Sequence, residues 1–289
     1  MNEAAAAPED ATVGGWHAHL ALHYRLDGQR TVSHDQHHGP LRVLKRLYPE
    51  GPAICHHVLL HPPGGVVGGD VLALQARLEA GSHALITTPG ATRFYRSEAG
   101  PAAQRVRFEV AAGARLEWLP LETIAHSGCE AENSLQLALQ PGAQAMGWDV
   151  LALGLPAAGE AFVAGRFRQH LEVQGVWLER GLIRAEDTAL LNSPLGLAGK
   201  TVLATLWWAS GSPLATAQRE AFLNSARDLL DTSPLRAQAG VSAPQPGVVV
   251  LRALAHSVEP VMQLLQAVRG AWRQAAWGLA AEPPRVWLS

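Results

Sequence analysis

The sequence predicts a mainly β protein, an elongated body of many short, mostly antiparallel strands in stacked, β-helix-like sheets, with about two α-helices near the C-terminus. Short segments in which apolar and polar residues alternate recur along most of the chain, as is typical of half-buried strands. The 28 Gly and 19 Pro residues mark turns between these segments. Helical periodicity begins only after residue 210. We therefore expect stacked sheets that leave no long edge strand free.

The individual strands follow from this alternation. Residues 16–25 alternate strictly and predict a half-buried strand. Between residues 106 and 118 the alternation is interrupted only by a turn around Gly113, which predicts a hairpin. Further alternating segments lie at 135–139, ahead of a Pro-Gly turn, and at 167–173, ahead of a Gln-Gly turn that predicts a second hairpin.

The two helices are predicted by apolar residues at helical spacing. The first spans about 212–231 with Pro213 in its first turn, and the second spans about 257–278. A strand over 248–254 precedes the second helix. The segment 233–246 is rich in Pro, Ala, Gln and Gly and is predicted to be a loop.

Length and composition predict one large domain. A chain of 289 residues with 48% hydrophobic residues can bury a sizeable core. We expect a disordered, Ala-rich tail over 1–12 and a single domain over 13–289. The tail lacks the basic start and apolar stretch of a secretory signal, and no apolar run approaches the ~20 residues that cross a bilayer. Two Cys cannot form a disulfide framework, so we expect a cytoplasmic protein.

Charge and aromatic content indicate the kind of partner. A net charge of -2 with 17% charged residues offers no broad basic surface, which argues against nucleic acid or an anionic membrane as the main partner. The nine Trp are many for this length, and Trp is enriched at the centres of protein interfaces. Several of these Trp are expected in the core, and a surface covered by a protein partner is the alternative.

Two glycine-rich segments have no helical or strand periodicity and are predicted to be ordered loops, where binding residues tend to lie. They are His61-Pro62-Pro63-Gly64-Gly65-Val66-Val67-Gly68-Gly69-Asp70 and Thr87-Thr88-Pro89-Gly90-Ala91-Thr92-Arg93-Phe94-Tyr95-Arg96-Ser97. Further motifs are Leu116-Glu117-Trp118-Leu119-Pro120, Glu122-Thr123-Ile124, Gly147-Trp148-Asp149, Leu153-Gly154-Leu155-Pro156-Ala157 and Gly159-Glu160.

In this order the motifs resemble those of UreD, called UreH in some organisms, a family of urease accessory proteins that help to deliver nickel to apo-urease. The resemblance covers roughly residues 16–209. It implies an elongated β-rich fold and a non-enzymatic role in urease maturation. It also implies that the chain binds apo-urease and UreF, with UreG joined through UreF. Nickel would bind transiently, and no cofactor would be held tightly.

Under this resemblance the acidic residues that close the motifs are candidates for nickel routing. They are Asp70, Glu122, Asp149 and Glu160. Carboxylates suit a relay because they bind nickel less firmly than a closed Cys/His site. The alternative for each is a carboxylate that stabilises a turn by accepting hydrogen bonds from backbone amides. The remaining candidate loop positions are His61, Pro62, Pro63, Gly64, Gly65, Arg93 and Tyr95.

Nine of the thirteen His precede residue 62, which raises a separate metal hypothesis. On strands, two sets would each share a face: Cys55, His57 and His61, and His17, His19 and His23. Thiolate with imidazole suits nickel, copper or zinc. The alternative is that exposed strand faces often carry His. A stand-alone all-β metalloenzyme using Cys55 and His57 is therefore the second functional hypothesis, and a binding module without metal traffic is the third.

Enzymatic signatures are weak in the sequence. Gly196 to Thr201 ends in Gly-Lys-Thr like a phosphate-binding loop, but Pro194 stands where the first Gly belongs and a strand-like segment follows. There is no Gly-x-Ser-x-Gly nucleophile elbow. We therefore expect no enzyme activity, and any nucleotide hydrolysis would come from a partner.

Overall fold

The computed structural model describes residues 15–98 and 100–288, so the predicted tail over 1–12 lies outside the described residues. The described chain forms seventeen strands and three α-helices. The strands are β1 His17–Asp27, β2 Arg30–His38, β3 Arg42–Leu47, β4 Ile54–Leu60, β5 Val71–Leu78, β6 His83–Thr87, β7 Thr92–Phe94, β8 Ala102–Val110, β9 Arg115–Leu119, β10 Thr123–Ala125, β11 Cys129–Leu139, β12 Gln144–Leu153, β13 Gly165–Val173, β14 Trp177–Arg184, β15 Val202–Ser210, β16 Ala239–Gln245 and β17 Val248–Ala255. The helices are α1 Thr188–Asn192, α2 Thr216–Asp231 and α3 Val258–Trp277.

The strands form two stacked sheets. The first sheet has the order β14-β13-β11-β8-β5-β1-β2 and the second β16-β17-β15-β12-β9-β6-β4-β3, with β7 and β10 as a short extension beside β12. From β4 to β13 the longer strands alternate between the two sheets, so each circuit of the chain adds one strand to each sheet. This coiled path confirms the predicted mainly β fold of stacked, β-helix-like sheets.

The strand direction differs from the prediction of a mostly antiparallel body. The centre of the first sheet, β1-β5-β8-β11-β13, is parallel, as is β4-β6-β9-β12 in the second. Antiparallel pairs are the outermost pairs of the first sheet, β1-β2 and β13-β14, and in the second sheet they are β3-β4 and the successive pairs from β12 through β15 and β17 to β16. Alternation of apolar residues defines which face is buried but carries no information on strand direction. Between two successive strands of one sheet, the chain passes through the other sheet and returns. Successive strands of the same sheet therefore run in the same direction and pair in parallel.

The turns explain why one predicted hairpin is wrong and the other is confirmed. The turn around Gly113 carries the chain from β8 in the first sheet to β9 in the second, so it is a corner. Gly81, Gly113 and Gly142 form equivalent corners, all with positive φ, and the Gly113 amide donates to the Gly142 carbonyl at 3.2 Å. The hairpin predicted at Gln174-Gly175 is confirmed by the antiparallel pair β13 and β14.

The second sheet is buried on both faces. One face packs on the first sheet and the other on α2 and α3, which gives the molecule two apolar cores. All but the last residue of β4 and all five residues of β6 are buried. Such continuous burial is typical of parallel sheets covered on both sides. Within the described residues, no helix is both long enough and apolar enough for a membrane crossing.

Both late helices are confirmed, with one shifted boundary. Ser257 is the N-cap of α3 and Gly278, at φ 64°, is its C-cap. α2 ends at Asp231 as predicted, but it begins at Thr216 rather than near Ser212. The Ser212 hydroxyl instead accepts a hydrogen bond from the Gly142 amide at 3.1 Å, so it stabilises a sheet corner.

The predicted loop over 233–246 is wrong in its second half. β16 occupies residues 239–245 and pairs with β17 at the margin of the second sheet. Its register shifts between Ser242 and Gln245, and Pro244 lies within this irregularity. An edge strand with a bulge tolerates Pro because the missing amide hydrogen bond is not needed there.

A buried charge cluster attaches α3 to the second sheet. The Glu117 carboxylate on β9 accepts from Arg269 at 2.7 and 2.9 Å and from Arg273 at 3.1 Å, and it lies 3.2 Å from the His83 ring. Arg273 also pairs with Glu50 at 2.7 Å. Burial alone would raise the pKa of Glu117, but the Arg269 charge and the other partners outweigh it and hold this pKa well below its usual range.

Candidate functional site

The long connections between the sheets gather at one end of the molecule, which we call the loop end. Each leads from the end of a second-sheet strand to the start of a first-sheet strand, whereas the corners at the opposite end, the turn end, are short. The loop end comprises residues 61–70, 88–98, 100–101, 120–128 and 154–164. Most of the motifs found in the sequence lie in these connections or at their edges.

The first two loops are bound directly to each other. The Val66 amide donates to the Arg93 carbonyl at 2.7 Å, and the Tyr95 amide donates to the Val66 carbonyl at 3.0 Å. The Tyr95 ring lies against Gly65 so closely that a Cβ at Gly65 would be 2.1 Å from a ring carbon. Gly64 has a positive φ of 76°. The Gly-Gly pair therefore serves both the turn and the close approach of the second loop.

The third and fourth loops extend this layer. β7 pairs in parallel with β10, and β10 pairs with the end of β12. The Thr92 amide donates to the Glu122 carbonyl at 2.9 Å, and the Gly154 amide donates to the Ala125 carbonyl at 2.8 Å. The four loops consequently form one hydrogen-bonded layer over the end of the sandwich.

A cavity of about 190 Å³ lies beneath the first two loops. Its walls are mainly apolar side chains from both sheets, such as Leu72 and Trp118. Polar groups at the cavity include His61 and Arg93 at the loops and Gln104 on β8. Burial lowers the pKa of His61, although the nearby Asp70 charge opposes this shift.

A row of polar side chains leads inward from this cavity. Gln104, Asn133 and Gln169 share one register position on β8, β11 and β13. The Gln104 amide nitrogen donates to the Asn133 oxygen at 3.1 Å. Asp149 on β12 accepts from Asn133 at 2.7 Å and from Gln169 at 2.5 Å. We call these four residues the polar row.

The environment of Asp149 changes its acidity. Burial, together with the nearby Glu179 charge, raises the pKa of Asp149 to about 7. The hydrogen bonds from Asn133 and Gln169 oppose the rise because they favour the charged carboxylate. Near neutral pH this carboxyl group is therefore divided between its neutral and charged forms.

The polar row ends at a surface depression of about 570 Å³, lined in part by Asp149, Gln169, Glu179 and Arg252. Gly181 on β14 lies directly opposite Gln169 on β13. A Cβ atom added at Gly181 would have no atom within 4 Å, so this position is open. Arg252 donates to Glu179 at 3.1 Å. The row thus connects the cavity at the loop end with an open, charged depression at the side of the sandwich.

Comparison with known proteins identifies the family. The model of the UreD urease accessory protein family matches residues 17–288. The chain is 60% identical to the urease accessory protein UreD of Leptothrix cholodnii over 94% of this chain and 99% of that protein. It is 57% identical to the proteins of that name from Albidiferax ferrireducens and Verminephrobacter eiseniae, with the same coverage. The chain belongs to the UreD family.

In this UreD-family chain the predicted acidic residues fall into different environments. Asp149 faces the first sheet from β12 and is partly exposed at the side depression. Asp70 is only 8% exposed and accepts from the backbone amides of Trp16 at 2.8 Å and Val67 at 3.0 Å, as the turn-stabilising alternative describes. Glu122 is partly exposed and Glu160 is exposed at the loop end. The structure does not bring these four carboxylates together.

Cys55 and His57, the proposed site of the metalloenzyme hypothesis, are buried and hydrogen-bonded to other side chains. Both His57 ring nitrogens have partners, Tyr24 at 2.6 Å and Ser33 at 3.3 Å, and burial lowers the pKa of His57 to about 4. Burial also raises the pKa of the Cys55 thiol. Among the described residues, no three His, Cys, Asp or Glu side chains are grouped so that they could hold a metal ion. His61 lies apart from them, at the cavity.

Sequence reasoning missed most of the polar row of this UreD chain. Gln104, Asn133 and Gln169 each occupy an inward position in an otherwise apolar alternating series. A single Asn or Gln side chain at an inward position is common. Three of them at the same register position of neighbouring strands indicate a polar path, but this is visible only once the strands are aligned. Glu117 lies in a quoted motif, yet its buried arginine partners are more than 150 positions away along the chain.

Proposed function

We propose that this chain acts in urease maturation by holding apo-urease together with UreF, through which UreG is recruited, and by guiding Ni²⁺ through its interior toward the unfinished metal centre. Family membership supports the maturation role, since the UreD relatives are named urease accessory proteins. The proposal assigns the chain no catalytic residue and no tightly bound cofactor.

The polar row is the observation that supports nickel routing. It offers amide oxygens and one carboxylate, Asp149, along a path through an otherwise apolar interior. Amide and carboxylate oxygens bind Ni²⁺ less firmly than thiolates or groups of imidazoles do. An ion can therefore be passed from one group to the next and released at either opening.

The loop end is the part of the surface best suited to hold a partner. It carries exposed apolar side chains, since Val163 is 76% and Val67 48% exposed in its loops, and Trp16, which donates its backbone amide to Asp70, is 61% exposed. Clusters of exposed apolar side chains mark protein interaction sites. A partner at the loop end would lie over the opening of the cavity.

Cells that express a urease gene set provide the test. Omitting this chain should abolish nickel loading and urease activity. Asp149→Leu places an apolar side chain in the polar row and should lower the nickel content of urease while UreF still co-purifies. Glu132→Gln, on the outward face of β11 beside Asn133, is the matched control and should load nickel normally.

The two parts of the proposal fail differently. Full nickel loading without the chain would refute the maturation role. Full loading with Asp149→Leu, alongside a clear requirement for the chain, would refute routing through the polar row and leave a scaffold that holds partners. Loss of UreF binding in the same variant would show that Asp149 supports the fold of the docking surface instead.

A further inference from the structure

The margin of the first sheet carries exposed imidazoles on its outer face. Along β1, Ala18 and Leu20 face the core, so the residues between them face outward. On β2, Ser33 faces inward toward His57, so residues an odd number of positions away, such as His34 and His38, face outward. We call the outward histidines of these two strands the histidine edge, which comprises His17, His19, His23, His34 and His38.

The strand register pairs four of these residues. β1 and β2 are antiparallel, with His19 directly opposite His38 and His23 directly opposite His34. Directly opposed residues have Cβ atoms about 4.5–5.5 Å apart. Two imidazoles at this separation can point toward a common ion, for which metal–nitrogen distances are about 2.0–2.1 Å.

The two pairs have different surroundings. The His23 ring lies 2.7 Å from the Glu79 carboxylate, and Arg77 is its register neighbour on β5. In the described part of the chain, the rings of His19 and His38 have neither a hydrogen-bond partner nor an ion-pair partner. Ala73, a small uncharged residue, is the β5 neighbour of His19. This pair therefore has free ring nitrogens and no adjacent cation that would repel a metal ion.

We propose that His19 and His38 form a two-imidazole chelate for a late first-row divalent ion such as Ni²⁺, Zn²⁺ or Cu²⁺, with water completing the coordination. Imidazole suits these metals, and two protein ligands give a site that releases its ion readily. The site lies on the outer surface and does not use the polar row, so it goes beyond the proposed routing function and is independent of it.

Direct titration of the purified full-length chain with NiCl2 tests the site. The double variant His19→Gln/His38→Gln should lose one bound Ni²⁺ equivalent. Each single variant should weaken this site by roughly a hundredfold, because a second ligand held nearby acts at high effective concentration. His37→Gln is the matched control, since His37 lies on the same strand but faces β3, where it bonds to Arg42 at 2.9 Å.

Nuclear magnetic resonance supplies a second readout for the same proteins. Substoichiometric Ni²⁺, which is paramagnetic, should broaden the ring signals of His19 and His38 and leave those of His37 sharp. Unchanged nickel binding by the double variant, or equal broadening at His37, would overturn the proposal. This readout is Ni²⁺ binding by the purified chain, whereas interior routing is read from the nickel content of urease, so failure here and failure of interior routing are separate results.

Discussion

Asp149 is a partly buried carboxyl group whose pKa is changed by its surroundings. Its pKa is about 7 in the folded chain because burial and the Glu179 charge disfavour the carboxylate. In the unfolded chain the group has an ordinary, much lower pKa. A group with a raised folded pKa stabilises the fold less as pH rises between the two values, because the folded state binds the extra proton in that window.

Asp149→Asn should therefore have a pH-dependent effect on stability. An amide has no charge to bury, so the variant escapes the loss of stability that the wild type suffers between about pH 4 and pH 7. We expect its free energy of unfolding, relative to wild type, to improve by about 2 kcal/mol between pH 5 and pH 8. Urea unfolding at both pH values measures this, and a constant difference would contradict the raised pKa.

Glu117 gives the second prediction at this scale. Glu117→Gln removes a carboxylate that both Arg269 and Arg273 contact and leaves buried positive charge partly unpaired. We expect a loss of about 3–5 kcal/mol in the free energy of unfolding near pH 7. Glu109→Gln, in an exposed ion pair with Arg107, should cost less than about 1 kcal/mol. Comparable losses in both variants would refute the structural role of the buried cluster.

The burial or capping role of a single residue was predictable from the sequence where neighbours along the chain determine its environment. The inward face of β1 and the caps of α3 follow from neighbours a few positions away. The environment of Asp149 does not, because its partners Asn133 and Gln169 come from other strands of the coil. Long-range contacts of this kind appear only when the strands are aligned in space.

At the scale of elements, the first two loops at the loop end depend on a close glycine contact. Gly65→Ala brings a methyl group into the Tyr95 ring, and we expect a cost of about 1–3 kcal/mol in the free energy of unfolding. Gly90→Ala, where no atom lies within 4 Å of the new methyl group, should have little effect. Thermal unfolding compares the two.

The contact itself can be tested in a double-mutant cycle. Tyr95→Ala removes the ring that the new methyl group meets, so Gly65→Ala should cost much less in that background than in the wild type. An equal cost in both backgrounds would mean that the strain lies in the backbone at Gly65 rather than between the two loops.

The elements also show where pattern reasoning succeeds and where it stops. Alternation located β1, β8, β9, β11 and β13, and apolar periodicity located α2 and α3. The corner at Gly113 and the true hairpin at Gln174-Gly175 look alike in sequence, because each is a short glycine turn between alternating segments. Only the sheet that receives the next strand distinguishes them, and that choice is made by packing of the whole body.

The whole molecule has two unlike ends, and this asymmetry argues for where partners bind. Long loops and the cavity occur together at the loop end, whereas the turn end consists of short glycine corners. The named relatives are accessory proteins, and a chain of this kind acts through other proteins. Partner binding should therefore be concentrated at the loop end.

A pair of surface variants tests this asymmetry. Trp16→Ser/Val163→Ser removes two exposed apolar side chains at the loop end, and Leu26→Ser/Val176→Ser removes two at the turn end as the matched control. Loss of anchoring side chains at the centre of an interface weakens binding by about tenfold or more. We expect that loss, measured as co-purification of UreF or apo-urease, only for the loop-end variant. The same variant should also make the isolated chain more soluble, because its apolar surface is smaller. Equal losses at both ends, or a loss confined to the turn end, would place the partners elsewhere on the molecule.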